Sequence, residues 1–474
     1  MGKIFRRIVS TLFIIGFLLV NAVSHAEIYT GEGSYVMSEG ENLGVAKERA
    51  KADAMRNACE KAGTYVKSYS RARDLELEED IIETMTANII KLVENPHFYP
   101  LEEVDNLEGV LIRVTVKAQI DDSDINRWLK KDEQQKSELV SQMEALRKAN
   151  EEQARQIAEL KRQLANNPQD KELITQKFEN EDKIFLSNQK VEEATRLWEN
   201  GKYEDAIKLC NEALDLNSDN EFAYLRRGAA YSDLGQYERA LKDFDKSIEL
   251  NPNFNIAYHN RGLAYQRLNQ YDRAISDYNK AIQLNPNFYM PYNNRGNIYS
   301  NLKQYEQAIQ DYNKAIQLNP NSYQTYNNRG LAYSEDFKQY ERAISDFNKA
   351  LEFKQHEVIY TNRGNAYRYL KQYERAIQDY DKAIELNPNY DMAYNNRGLA
   401  YKNLGQYERA IQDFNKAIEL NPKYFYAYYN RGWVYYFLKQ YQQALKDFDK
   451  ALEINPNNTN AKNSRAVCLK AMGR

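Results

Sequence analysis

NIAYHNRGLAYQRLNQYDRAISDYNKAIQLNPNF, residues 255–288, is one of seven 34-residue copies of a single pattern, which begin at Glu221, Asn255, Tyr289, Tyr323, Glu357, Asp391 and Phe425 and run to Asn458. A fixed period of this length marks a stack of repeated supersecondary units. Apolar, aromatic or small residues recur at positions 4, 8, 11, 20, 24 and 27 of each copy, which is helical spacing on either side of a short turn. Each copy is therefore a pair of helices. In the second copy the first helix carries Tyr258, Gly262 and Tyr265, and the second carries Ala274, Tyr278 and Ala281. Alternation of large and small residues lets neighbouring helices interdigitate. Asn285-Pro286 ends the second helix, because the residue before Pro is disfavoured in the α region.

The spacing Tyr258, Gly262, Tyr265, Ala274, Tyr278, Ala281, Pro286 resembles the tetratricopeptide repeat (TPR) signature, and it recurs in the other copies. The resemblance implies a mainly α fold, a right-handed superhelix of helix pairs, acting as a non-catalytic scaffold. A degenerate eighth unit at 187–220 keeps Tyr203, Ala206 and Ala213 but lacks the Gly and Pro, as suits an end repeat that caps a solenoid. The tail 459–474, with Ala466 and Leu469 at the repeat's apolar positions, reads as a closing helix. The copy from Tyr323 has an extra residue between Tyr333 and Tyr340 and ends in Phe353-Lys354-Gln355-His356 without Pro, which predicts a locally altered turn.

Ahead of the array the chain changes character. Residues 1–26 read as an export signal: Lys3, Arg6 and Arg7 precede the apolar run Ile8 to Val20, and Ser24-His25-Ala26 offers small residues at both cleavage positions. The alternative is an uncleaved anchor, for which the run is short. Cleavage would take the formal charge from -3 to about -6, and with both signs interspersed nothing forms a basic nucleic-acid footprint. Residues 27–122 read as a small α+β domain. Its first strand spans Ile28 to Met37 and its helix Asn42 to Ala62, with Ala46, Ala50, Ala54 and Ala58 on one face and Gly63 closing it. A second helix is expected at Glu78 to Leu92, then a strand, Val110 to Ile120, that alternates strictly. The run Ala46 to Arg56 with Gly63-Thr64-Tyr65-Val66 resembles the amino-terminal domain of bacterial envelope and flagellar-ring accessory proteins.

In the linker 123–167, Leu139, Met143, Leu146, Ile157, Leu160 and Leu164 take alternating four- and three-residue steps, with Asn150 and Gln153 as a polar layer. This is a short coiled-coil pattern, read either as a self-association seam over 139–164 or as a lone amphipathic helix. Signal peptide, coiled coil and TPRs in that order also resemble, in layout, the periplasmic coordinator associated with the Tol-Pal system.

No arrangement of catalytic or metal-ligating residues is visible. Beyond the signal there are His97, His259 and His356, none with a spaced His, Cys or acidic companion, so no cofactor, metal or enzymatic activity is expected. His259 is expected on the repeat surface. Cys59, Cys210 and Cys468 are scattered, which implies no disulfide framework.

The binding signal lies at position 6, which is Asn in six consecutive copies: Asn260, Asn294, Asn328, Asn362, Asn396 and Asn430. In the family this position faces the concave groove, where a ladder of carboxamides, each both donor and acceptor, suits the backbone of an extended peptide. The alternative is that the ladder bonds only to neighbouring helices. The family's clamp for acidic chaperone tails needs Lys at position 2, where this chain has Phe222, Ile256, Met290, Gln324, Val358, Met392 and Tyr426. The last copy adds Tyr426, Tyr429, Trp433, Tyr436 and Phe437, either an aromatic partner site or filling beneath the terminal helix. The expected partners are proteins or peptides, in an exported, periplasmic or secreted setting. The rival expectation is a structural component of an envelope or secretion assembly.

Overall fold

The structure, a computed structural model, describes residues 26–38, 41–71, 86, 91–104, 109–121, 125, 133–166, 171–335 and 338–473. The export signal expected at 1–26 lies outside these residues apart from Ala26, and among the described residues no helix is long and apolar enough to cross a membrane. The chain divides into two compact units, 1–284 and 285–474.

The first unit opens with a five-stranded sheet: β1 (Ala26–Ser38), β2 (Lys91–Leu92), β3 (His97–Phe98), β4 (Glu102–Val104) and β5 (Gly109–Asp121). β5 is its spine. β1 pairs with it antiparallel along the whole length, Ala26 opposite Asp121 and Ser38 opposite Gly109, and the three short strands pair with it in succession. Alternation decides its faces: Ile112, Val114, Val116, Ala118 and Ile120 are buried, whereas Arg113 and Lys117 are exposed. Helix α1 (Leu43–Arg71) lays Ala46, Ala50, Ala54, Ala58 and Ala62 against that buried face. Gly31 and Gly33 of β1 let the two backbones meet, since a Cβ on them would fall 1.9 Å from the Ala54 carbonyl oxygen and 2.3 Å from that of Ala50. Gly63 does not close α1, which continues to Arg71. Of the helix expected at Glu78 to Leu92, the last two residues form β2 and Thr86 is helical; the remainder lies outside the described residues.

Next come α2 (Glu133–Asn166) and α3 (Lys171–Glu199), which pair as a helical hairpin. The seam read as a self-association surface is covered from within. Ile157 and Leu160 are buried with Ile174 and Phe178 of α3, and Leu146 is buried in a cluster with Val191. Asn150 Nδ2 donates to Glu192 Oε1 at 2.9 Å, and Gln153 Nε2 to the Glu181 carbonyl at 2.8 Å. The polar layer thus fixes the register of an intrachain pair, in which the described seam residues are covered by α3. The side chains of Leu139, Met143 and Leu164 lie outside the described ones. A buried ionic cluster ties the hairpin to the small domain. Arg49 contacts Glu41 at 3.1 Å and Asp182 of α3 at 2.7 Å, while Lys161 of α2 contacts Glu41 at 3.3 Å. The Tyr35 hydroxyl donates to Glu41 at 2.7 Å.

The array begins inside α3, whose carboxyl-terminal half serves as the first helix of the degenerate unit. The unit's second helix is α4 (Tyr203–Leu216). Cys210 is buried there, and burial pushes its thiol up to about 12. The first two full copies complete the first unit: α5 (Glu221–Asp233) with α6 (Tyr237–Leu250), and α7 (Asn255–Arg267) with α8 (Tyr271–Leu284).

The second unit holds copies three to seven: α9 (Tyr289–Asn301) and α10 (Tyr305–Leu318), α11 (Tyr323–Glu335) and α12 (Tyr340–Phe353), α13 (Glu357–Tyr369) and α14 (Tyr373–Leu386), α15 (Asp391–Asn403) and α16 (Tyr407–Leu420), α17 (Phe425–Phe437) and α18 (Tyr441–Ile454). A closing helix, α19 (Thr459–Ala471), follows. The turn inside each pair rests on a left-handed residue at position 15, for example Gly405 at φ 73 and Lys371 at φ 60. The next amide then turns back, as where Gln406 N–H donates to the Tyr401 carbonyl at 2.9 Å. The Asn before Pro is extended as expected, Asn319 lying at φ -132 and ψ 90. In the copy from Tyr323 the extra residue is absorbed between α11 and α12, and His356 Nδ1 accepts from Val358 N–H where the Pro is missing.

Candidate functional site

Within each unit the first helices of successive copies contact one another and share a face. What holds that face is an ion pair repeated in every copy. Arg227, Arg261, Arg295, Arg329, Arg363, Arg397 and Arg431, at position 7, each fork onto both oxygens of an Asp in the second helix of the same copy. In copy five, Arg363 Nε and a terminal nitrogen meet Asp379 at 2.9 and 2.6 Å, and the other terminal nitrogen donates to Asn348 of the preceding copy at 2.7 Å. One guanidinium therefore fixes a helix pair and its junction with the preceding pair. The Arg-Gly step was visible in all seven copies, but helical periodicity highlights apolar positions and passes over buried ions.

Gly at position 8 makes room for the aromatic at position 24: a Cβ on Gly364 would fall 2.7 Å from the Tyr380 ring. The identity of that aromatic is coupled to the shared face. Tyr278, Tyr312 and Tyr380 donate their hydroxyls to Gln266, Asn297 and Asn365, each at 2.8 Å. Where that aromatic is Phe, as in Phe244, Phe347, Phe414 and Phe448, position 9 is the apolar Ala229, Leu331, Leu399 or Trp433; copy two has Leu263 at position 9 and takes its acceptor, Gln266, from position 12. A buried hydroxyl needs its acceptor. Asn365→Leu should accordingly cost about 1–3 kcal/mol, and adding Tyr380→Phe should recover most of it, because Leu with Phe is the pairing of copies four and six. Urea unfolding of both variants measures this; equal loss in single and double variants would refute the coupling.

The asparagine column is wired into the stack. Asn328 Nδ2 donates to Asn297 Oδ1 at 2.9 Å, Asn362 Nδ2 to Asn327 Oδ1 at 2.9 Å, and Asn430 Nδ2 to Asn395 Oδ1 at 3.0 Å, each time in the preceding copy. Within copies, Asn293 Nδ2 donates to Asn294 Oδ1 at 3.1 Å and Asn395 Nδ2 to Asn396 Oδ1 at 3.0 Å. Thr361 interrupts the sequence of carboxamides at position 5 of copy five. Asn294 is buried, and its Nδ2 makes no hydrogen bond; in the first unit, Asn260 is buried and its Oδ1 makes none. Asn328, Asn362, Asn396 and Asn430 stay partly open.

The aromatic end divides. Tyr429, Trp433 and Tyr436 are half-buried around Ala444, Phe448 and Cys468, and Ser464 of α19 donates to the Tyr429 hydroxyl at 3.3 Å. Much of the expected patch therefore fills space beneath the closing helix, while Tyr426 and Phe437 remain more than half exposed. His259 corrects the surface expectation. It is fully buried against Tyr278, 5.8 Å between ring centres, and burial pushes its imidazole down to about 3. Among the described residues no cluster of His, Cys, Asp and Glu is arranged to hold a metal ion.

Family comparison matches "tetratricopeptide repeat" to residues 222–254, 256–288, 290–322, 358–390, 392–424 and 425–458, and a second family of that description to 311–345. No curated protein matches the chain. Similar solved structures include a tetratricopeptide repeat protein from Parabacteroides merdae, 21% identical over 52% of this chain and 98% of that one, with a TM-score of 0.44. YrrB, described as a TPR protein with an unusual peptide-binding site, is 28% identical over 40% of this chain and 97% of its own, at 0.33. PilF of Pseudomonas aeruginosa is 22% identical over 44% and 94%, at 0.40.

Proposed function

Residues 222–458 belong to the tetratricopeptide repeat family, a family of protein-interaction scaffolds, and on that premise we propose that this chain is a non-catalytic scaffold of the bacterial envelope. It holds an extended segment of a partner protein along the face shared by the first helices of its second unit. The observation that carries this is the half-used carboxamide column. Each side-chain amide offers two donors and two acceptor lone pairs; in Asn362 and Asn430 the stack takes one donor, and in Asn328 it takes donors to Asn297 and, at 3.4 Å, Asn293 and one lone pair of the oxygen, which leaves capacity on the open side. Each contact to a partner's backbone nets about 0.5–1.5 kcal/mol, so affinity accumulates over several rungs and depends little on the partner's sequence. The export-type beginning, Lys3, Arg6 and Arg7 before Ile8 to Val20, supports the envelope location.

Because the ladder also holds the stack together, truncating it would confuse binding with folding. A photo-crosslinking residue in place of Met392, which is exposed on a first helix, avoids this. In cells expressing the full chain it should capture partner polypeptide through extended segments, whereas the same residue at Lys382, exposed on a second helix, should not. Equal capture at both positions would move the function off this face. A reporter active only after export, fused behind Arg474, should be active if the location is right.

A further inference from the structure

Position 12 of the first helices looks onto the same face. It is Ser300 and Ser334 in copies three and four, then Arg368 and Lys402 in copies five and six, and Tyr436 in copy seven. The two cations lie one repeat apart on adjoining first helices and feel each other's charge. Both are partly buried, yet neither makes an ion pair among the described residues. The contrast is with the position-7 arginines of the same helices, every one of which is matched to a carboxylate. Arg368 Nε is buried without a hydrogen-bond acceptor among the described residues, its guanidinium lies 4.6 Å over the Tyr369 ring, and the group it hydrogen-bonds is the neutral Tyr380 hydroxyl rather than a carboxylate. Burial, and secondly the charge of Arg368, push the Lys402 ammonium below its usual range. Two desolvated like charges side by side are costly without an anion.

Positions 2, 5, 6, 9, 12 and 13 of copies five to seven contain no Asp or Glu, although the whole chain carries a formal charge of -3; copy four has Glu335 at position 13. Tyr369, beneath the Arg368 guanidinium, is exposed and stacks on Tyr340 with ring centres 5.1 Å apart, and Phe437, on the first helix of the copy after Lys402, is exposed and stacks on Tyr407 at 6.2 Å.

We propose that copies five to seven select an acidic partner segment: a Glu or Asp side chain sits between Arg368 and Lys402, and a neighbouring apolar side chain rests on Tyr369 or Phe437. This deepens, and rests on, the groove-binding reading above. It differs from the clamp for acidic chaperone tails, whose cations would stand at positions 2, 5 and 6, because here the cations are at position 12 and the partner segment needs no terminal carboxylate.

The test uses the full chain and fluorescein-labelled twelve-residue peptides in which Glu alternates with Phe and Gly, alongside the same peptides with Gln or Lys for Glu, followed by anisotropy. The Glu peptide should bind about tenfold more tightly than the Gln peptide, and this margin should shrink with added salt. Arg368→Ser with Lys402→Ser, which installs the residue of copies three and four, should abolish the margin and leave the shared weaker binding in place. Unchanged urea midpoints would show that the stack is intact. Arg368→Glu with Lys402→Glu should shift preference to the Lys peptide. If Glu and Gln peptides bind wild-type chain equally, the acidic selectivity fails while groove binding stands; if neither binds, both fail. Equal binding of a twelve-residue oligothymidylate would make this a general anion site and overturn the assignment to a peptide.

Discussion

Replacing Arg363 with Met is expected to destabilise the array by about 3 kcal/mol, among the largest losses a single substitution in the second unit can produce. The reason is the asymmetry of a buried pair. Asp379 is only 6% exposed in its side chain and meets a forked guanidinium that is itself 20% exposed, so removing the cation strands a carboxylate that cannot regain its water. The bond to Asn348 in copy four disappears with it. Burial already raises the Asp379 carboxyl above its ordinary range and Arg363 opposes that rise, so in the variant it rises further. A carboxyl raised in the folded state gains protons on folding, so the deficit should be greatest near neutral pH and should narrow on acidification, as protonation removes the stranded charge. Arg363→Lys keeps a charge but loses the fork and should fall between the two. Urea midpoints for the three chains at neutral and acidic pH measure this; an Arg363→Met chain as stable as wild type would show that the ladder is dispensable.

The second large effect is acid sensitivity centred on His259. Its folded-state pKa is pushed down to about 3 by complete burial, against about 6.5 in an unfolded chain. Above about pH 6.5 both states are neutral and nothing is lost. Between that value and 3 the unfolded chain binds a proton that the folded chain refuses, so stability falls by about 1.4 kcal/mol per pH unit, or about 2 kcal/mol by pH 5. His259→Asn installs the residue that copies three, four and six carry at position 5. Its urea midpoint should match wild type within a small offset at pH 7.5 and exceed it at pH 5, other titrations cancelling in the comparison. Parallel pH profiles for the two chains would show that His259 charges without cost.

Much of this protein is legible in its sequence. The 34-residue period, the Gly and Ala holes, and the Asn-Pro stops specify helix pairs wherever they occur, because each acts within a few residues: spacing sets a face, a missing Cβ opens a hole, Pro forbids the next turn. Strict alternation from Val110 to Ile120 likewise announces a strand with one buried face, since side chains of a strand can only alternate. Local rules also misled. Gly63 looked like a helix stop, yet α1 continues to Arg71. The 139–164 seam was read correctly as apolar, but periodicity says only that a face wants a partner and does not name it; chain connectivity supplied α3.

The sequence alone determined that the chain is a stack of helix pairs behind a small α+β domain, because those signals are short-range and repeated. Only the tertiary structure decided which polar groups are working parts of the stack. That His259 is interior, that the asparagines bond from copy to copy, that Tyr429 and Trp433 pack beneath the closing helix, and that Arg368 and Lys402 make no ion pair among the described residues all depend on residues about 35 positions away or on other elements. Burial and partnering of a polar side chain are properties of its neighbours in space, and no pattern along one helix encodes them.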